Sequence, residues 1–347
     1  MPYILVLLYL GVTIYAANQV QIGLWRPAVL TVLLYIGVGL MAMMSLFPLQ
    51  IALLSNAGLA PAESADIATP QVALPAALAA AVFGFLLTSF SGALVSSQAV
   101  RARLAGLLNR EPHTRFDPES PVHLTAWLLS SLIVVGTVFV FILSGGIAAV
   151  AESVAVDGID PFDTMITGML ELIAAALGVG YALRRDGAQT LQRLGLRIPT
   201  RQDISTGVLT GIGLIIAQIV FVTLTQLVLD PQSLAEQSQA AQQITLAVST
   251  LPMVLILSLS AAIGEETLIR GALQPVLGTV ISSAFFTLLH SQYLGTPFML
   301  LIFAVSLAFA WLRRRYSTTA AIIAHFTYNF FPLFLLMLAT TTGGIPN

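Results

Sequence analysis

Residues 244–270 read ITLAVSTLPMVLILSLSAAIGEETLIR. From Ile244 to Gly264 there is no charge; then Glu265, Glu266 and Arg270 arrive within six residues. A run of about 20 apolar residues is what a helix needs to cross a hydrocarbon core. An ionisable side chain at mid-bilayer costs about 2.5–3.5 kcal/mol on insertion scales, so it is rare there and calls for a reason. The stretch therefore reads as a spanning helix with three charges at its inner end.

The same kind of run recurs on both sides. Reading outward gives about ten spans: 2–20, 28–53, 72–95, 124–150, 164–183, 207–229, 244–264, 279–295, 297–312 and 318–341. These are long continuous runs, not alternating ten-residue strands, which disfavours a closed barrel. The fold expected is all-α: a polytopic transmembrane helical bundle of about ten spans with no soluble domain. Composition agrees. Of 347 residues 57% are hydrophobic and only 9% charged, against roughly 25% charged in soluble domains. That excludes a soluble enzyme, a nucleic-acid binder and a disordered regulator. The absence of cysteine removes disulfides, thiolate metal sites and a cysteine nucleophile. All 14 basic residues are arginine, so no lysine nucleophile exists either. No basic residue precedes the first apolar run, which reads as an uncleaved span and not as a secretory signal.

The loops carry orientation. Arginines gather in alternate loops: Arg26; Arg101, Arg103, Arg110 and Arg115; Arg184, Arg185, Arg193, Arg197 and Arg201; Arg313, Arg314 and Arg315. Acids take the others: Glu63 and Asp66; Glu152, Asp157, Asp160 and Asp163; Asp230 and Glu236. The positive-inside rule puts the arginine loops in the cytoplasm and both termini outside. The segment 96–123 reads as a cytoplasmic loop or interfacial helix, 54–71 as an external loop, and 194–199 as a short connection into the next span.

Inside the apolar runs the polar exceptions are few: Glu171, Glu265, Glu266, Arg270, His290 and His325, with Asn329 beside the last. On a helix Glu266 and Arg270 are four apart and can pair. Glu265 is turned roughly 100° from Glu266 and points elsewhere. That phase assigns one carboxylate to structure and the other to work. The plain alternative is a charged helix end at the interface. Phe286 and His290 lie four apart in the next run, and His325 and Asn329 share a face in the last. Each histidine alone fits a packing or hydrogen-bonding role. Together, a carboxylate, two imidazoles and an amide within two or three turns of the cytoplasmic side suit water activation and oxyanion stabilisation. The sequence holds no H-E-x-x-H, no G-x-S-x-G, and neither the rhomboid nor the intramembrane aspartyl protease motif.

In order and spacing, Glu265-Glu266-x-x-x-Arg270, Phe286-x-x-x-His290 and His325-x-x-x-Asn329 resemble the three motifs of the CPBP family. That family holds the CAAX prenyl endopeptidases and relatives tied to bacteriocin processing and immunity. The resemblance covers roughly 165–341. It implies a protease core over 161–347, behind a four-span region over 1–160 whose role is open. It implies an intramembrane endopeptidase of a bacterial-type cell membrane, cutting membrane-anchored or lipid-modified peptides near the cytoplasmic face. Glu265 and His290 would activate the water, and His325 and Asn329 would form the oxyanion site. Glu266 and Arg270 would support them. The expected partners are the lipid bilayer and a peptide or protein substrate, with no nucleic acid. No cofactor is expected. If a divalent metal such as zinc takes part, Glu265, His290 and His325 are its ligands. A non-catalytic immunity or scaffold protein with this fold is the alternative. A transporter is disfavoured, since no paired half-helices occur at matching positions. Glu171 belongs to no motif.

Overall fold

Lipid offers no partner to a bare backbone amide or carbonyl, so a chain of this composition satisfies its backbone within helices. In the computed structural model, which describes residues 2–57, 72–227 and 250–341, no strand forms among those residues. There is only one isolated bridge, between Tyr181 and Arg185. Eight helical stretches are long and apolar enough to cross a membrane: Ile4–Gln21, Pro27–Asn56, Leu74–Ser96, Pro121–Leu143, Pro161–Val179, Arg201–Thr225, Leu251–Leu289 and Thr318–Ala339. The expected runs 244–264 and 279–295 share the seventh. The run 297–312 is the helix Phe298–Arg315, with three arginines in its last turn. The acidic loop 230–243 and most of the loop 54–71 lie outside the described residues.

Three boundaries move for physical reasons. The run 124–150 breaks at Gly145 and Gly146, whose φ angles of 97° and 78° are left-handed. Glycine adopts that region without steric cost. A separate short helix, Ile147–Asp157, follows. The run 279–295 is helical only to Leu289. The run 244–264 does not end where its charges begin. Its helix runs to Glu266, continues through a π-helical turn at Thr267–Leu273, and resumes over Gln274–Leu289 with a kink at Gly278, whose φ of 79° and ψ of 170° are not helical, just before the expected start at 279.

The helices are α1 (Pro2–Gln21), α2 (Pro27–Asn56), α3 (Leu74–Ser96), α4 (Gln98–Leu108), α5 (Pro121–Leu143), α6 (Ile147–Asp157) and α7 (Pro161–Val179). They continue as α8 (Gly187–Leu194), α9 (Arg201–Thr225), α10 (Leu251–Glu266), α11 (Gln274–Leu289), α12 (Phe298–Arg315) and α13 (Thr318–Thr341). They form two compact units.

The first unit is Met1–Val150 together with Thr287–Leu294. Its core joins Ala16 and Ala17 of α1, Leu30, Leu34 and Met41 of α2, and Leu128, Leu132 and Val135 of α5. Buried polar groups find partners across helices. Tyr9 Oη donates to the Leu33 carbonyl at 2.8 Å, and Trp127 Nε1 donates to Ser91 Oγ at 3.1 Å. Helix α4 is the short element between two spans. From within it Arg101 donates to the carbonyls of Leu94 and Val95 at 2.7 and 3.2 Å, satisfying the C-terminal end of α3.

The second unit is Ala151–Phe286 with Gly295–Asn347. Small residues let its helices meet backbone to backbone, as membrane interfaces favour. A Cβ on Gly207 would fall 2.9 Å from the Ala320 carbonyl oxygen, and one on Gly211 2.8 Å from that of Ala324. This Gly-x-x-x-Gly pair seats α9 against α13. Between α7 and α10 the same service comes from Gly168 and Gly264, whose Cβ positions would fall 2.8 Å from the Ser260 carbonyl oxygen and the Gly168 Cα. Large apolar side chains such as Leu209, Ile216, Ile219 and Leu335 point outward, the arrangement lipid permits. At one end the connection 195–200 is stitched to the α12–α13 turn. Thr318 N donates to the Gly195 carbonyl at 3.1 Å, and Ser317 Oγ to Asp203 at 2.8 Å. Asp203 also accepts from Arg197 at 2.8 Å and closes a capping box with Thr200.

Candidate active site

The site grows from the place where α10 gives way to its π-turn. A π-turn inserts an extra residue into the helical repeat and is frequent at functional sites. Here it follows Gly264, Glu265 and Glu266 directly. Glu266 is fully buried. Its Oε2 accepts from Arg270 Nε at 2.9 Å, and its Oε1 lies 3.0 Å from His325 Nδ1 on α13. Arg270 is fully buried as well. It donates from Nη2 to Ser306 Oγ on α12 at 2.7 Å, and its guanidinium carbon stands 5.1 Å above the Phe286 ring. The ring of His325 stacks on Phe309 at 5.0 Å between centroids, while Phe286 meets it edge-on at 6.1 Å. One chain of bonds therefore runs Ser306–Arg270–Glu266–His325 across three helices, walled by two aromatic rings.

A buried carboxylate survives only when paired and hydrogen-bonded. Glu266 has both a cation and a ring N–H to accept from. An ionised carboxylate accepts and cannot donate, so Nδ1 of His325 carries the proton and Nε2 is the nitrogen left for chemistry. Glu265 differs from its neighbour. It is only half-buried, and its Oε2, a buried atom, has no hydrogen-bond partner among the described residues. Adjacent residues on one helix thus meet different fates, as their phase requires.

Asn329 lies one turn beyond His325 on α13, half-buried. His325 itself is seven residues into α13, about 10 Å from the Ser317–Thr318 end. The Arg270 carbonyl, about 6 Å along the helix from Glu266, is bonded by Arg313. The carboxylates therefore lie close to the arginine-bearing end of this unit although their helix continues past them. His290 is not within a span: it is the first residue after α11, with its N–H on the Thr287 carbonyl at 3.1 Å. It belongs to the Thr287–Leu294 segment of the first unit, whose Ser291–Tyr293 turn packs on α5. The second unit thus bonds Glu266, Arg270 and His325 together, with Glu265 next to Glu266 in the chain and Asn329 one turn beyond His325. Among the described residues no three His, Asp or Glu side chains stand grouped to hold one ion.

Two further residues adjoin these groups, Ser306, which no motif marks, and Glu171, a polar exception outside the motifs. Ser306 is the sole polar side chain between Phe298 and Leu312, and it is the acceptor that Arg270 uses. Glu171 of α7 lies against Gly264: a Cβ there would come 2.5 Å from Glu171 Oε2. The glycine is the space that the carboxylate occupies.

Residues 247–331 match the family model described as type II CAAX prenyl endopeptidase Rce1-like. The matched region is about a quarter of the chain and contains all three motifs, in agreement with their resemblance to the CPBP family. No curated protein and no solved structure matches the chain.

Proposed function

We propose that this multi-pass membrane protein is an endopeptidase that cleaves membrane-anchored or lipid-modified peptides near the arginine-rich, cytoplasmic face. One observation carries the reading. Glu266 is wholly engaged by Arg270 and His325, while its neighbour Glu265 keeps a buried oxygen that no hydrogen bond from the described residues reaches. The family match over the motif-bearing residues supports it.

In this reading Glu265 is the general base. It takes a proton from water as the oxygen attacks the scissile carbonyl, and returns that proton to the leaving amine. His290 orients the water, a role assigned by motif order. His325 and Asn329 donate to the oxyanion as it forms. For His325 Nε2 to donate while Nδ1 serves Glu266, both ring nitrogens must carry a proton. Arg270 and Ser306 hold Glu266 in place and do not touch substrate. The mechanism is metal-free.

A library of membrane-anchored peptides, some prenylated at the C-terminus, tests the proposal with reconstituted protein. The expected result is cleavage by the wild type and none by Glu265→Gln. Peptide binding without cleavage by the wild type would refute the enzyme and favour the immunity or scaffold reading.

A further inference from the structure

Four arginines crowd one end of the second unit. Arg184 and Arg185 follow α7, Arg193 lies in the last turn of α8, and Arg313 in that of α12. Three of them are held by backbone carbonyls. Arg193 donates to Gly271 at 2.9 Å and to Ala272 at 3.4 Å, Arg313 donates to Arg270 at 3.3 Å, and Arg185 donates to Val179. The consecutive carbonyls of 270–272, in the π-turn, thereby draw Arg193 and Arg313 to one spot. Two left-handed glycines make room for two of the side chains. A Cβ on Gly180 (φ 100°) would meet Arg184 Nε at 2.6 Å, and one on Gly195 (φ 68°) would meet the Arg313 guanidinium carbon at 2.5 Å.

The cluster is strained electrostatically. Burial, and then the charges of Arg185, Arg313 and Arg184, push Arg193 down to about 10. Burial and Arg185 push Arg184 down to about 10. The bonds of Arg185, Arg193 and Arg313 go to neutral carbonyls, and among the described residues none of these three has an acidic partner. A guanidinium has five N–H donors, so each retains donors beyond those used. All four are half-buried. Arg184 and Arg185 come just after Val179, the end of a helix long and apolar enough to cross a membrane, a position that suits the headgroup layer. Basic pockets between spanning helices at this depth take anionic headgroups.

We propose that Arg184, Arg185, Arg193 and Arg313 form a binding site for the phosphate of an anionic phospholipid headgroup. A phosphate offers several acceptor oxygens and a negative charge beside Arg185, Arg193 and Arg313. A bound acyl-chain lipid would also lie along α7, at the rim of the candidate active site. Binding needs no proteolysis, so the site stands or falls independently of the proposed activity.

The test uses the full chain in detergent. Thermal midpoint and lipid retained in native mass spectrometry are measured with phosphatidylglycerol, phosphatidylcholine or inorganic phosphate added. Phosphatidylglycerol should be retained and raise the midpoint, with the other two having little effect. Each arginine beside an anionic headgroup contributes about fivefold in affinity. Arg184→Gln/Arg185→Gln should therefore bind phosphatidylglycerol about thirtyfold more weakly, with an unchanged midpoint in phosphatidylcholine. If the double variant misfolds, Arg185→Gln alone should show the fivefold loss. Equal retention of the two lipids, or unaltered binding by the variants, would overturn the site. An equal effect of inorganic phosphate would overturn the lipid assignment.

Discussion

Replacing Arg270 with methionine is expected to destabilise the protein by about 3–5 kcal/mol, the range for removing one partner of a buried ion pair. The figure follows from the surroundings. Arg270 and Glu266 are both 0% exposed, 2.9 Å apart, with no solvent to screen either charge. Without Arg270, Glu266 keeps only the His325 ring N–H, and Ser306 loses its donor. Glu266→Gln should cost a similar amount, because it strands the guanidinium instead. Glu266→Gln/Arg270→Met removes both charges together, and neutral replacement of a whole buried pair is often close to neutral in stability. The double variant should therefore cost at least about 2 kcal/mol less than the sum of the singles, within the range seen for coupled residues. Reversible unfolding in mixed micelles with increasing dodecyl sulfate, followed by circular dichroism, gives the three free energies. Additivity within about 0.5 kcal/mol, or a single-variant cost below about 1 kcal/mol, would refute the account of Glu266 as the structural carboxylate.

Glu265→Gln should show the reverse: turnover falls by at least about 10²–10⁴ while the unfolding free energy stays near wild type, and a loss of stability matching Arg270→Met would end the division of labour. Asn329→Ala should be milder, about 10²–10³ and mainly in kcat, read in the same peptide assay. Gly264→Ala puts a methyl 2.8 Å from the Gly168 Cα, so it should destabilise by about 1–3 kcal/mol, and Glu171→Ala should relieve only part of that because the backbone contact remains. Exhaustive chelation should leave turnover intact; loss of activity that stoichiometric zinc restores would replace the metal-free mechanism. Single cysteines at 101, 184 and 313 should label with an impermeant maleimide from one side of the membrane and a cysteine at 157 from the other, and same-side labelling of 101 and 157 would break the topology.

The length of each uncharged run, the phase between Glu265 and Glu266, and the four-residue spacing of each motif are properties of short stretches of chain. They were legible because a helix converts local spacing directly into depth and direction. Periodicity said little about which helices touch, since lipid-facing and buried sides are both apolar. Helix ends were the weakest part. Gly145 and Gly146 stop α5 by backbone conformation inside a run that hydropathy continues, and α10 runs past its charges because Arg270 is sheltered by Phe286 and Ser306, from α11 and α12. The partner of His325 was equally hidden. Its bond to Glu266 joins residues 59 apart in sequence, and only the packing of α13 beside α10 selects Glu266 over Glu265. By itself the sequence determined a helical membrane protein and the residues that carry charge within it. Tertiary packing alone decided which carboxylate is clamped and which is left open, because desolvation and hydrogen-bond partners belong to the space between helices and not to any one of them.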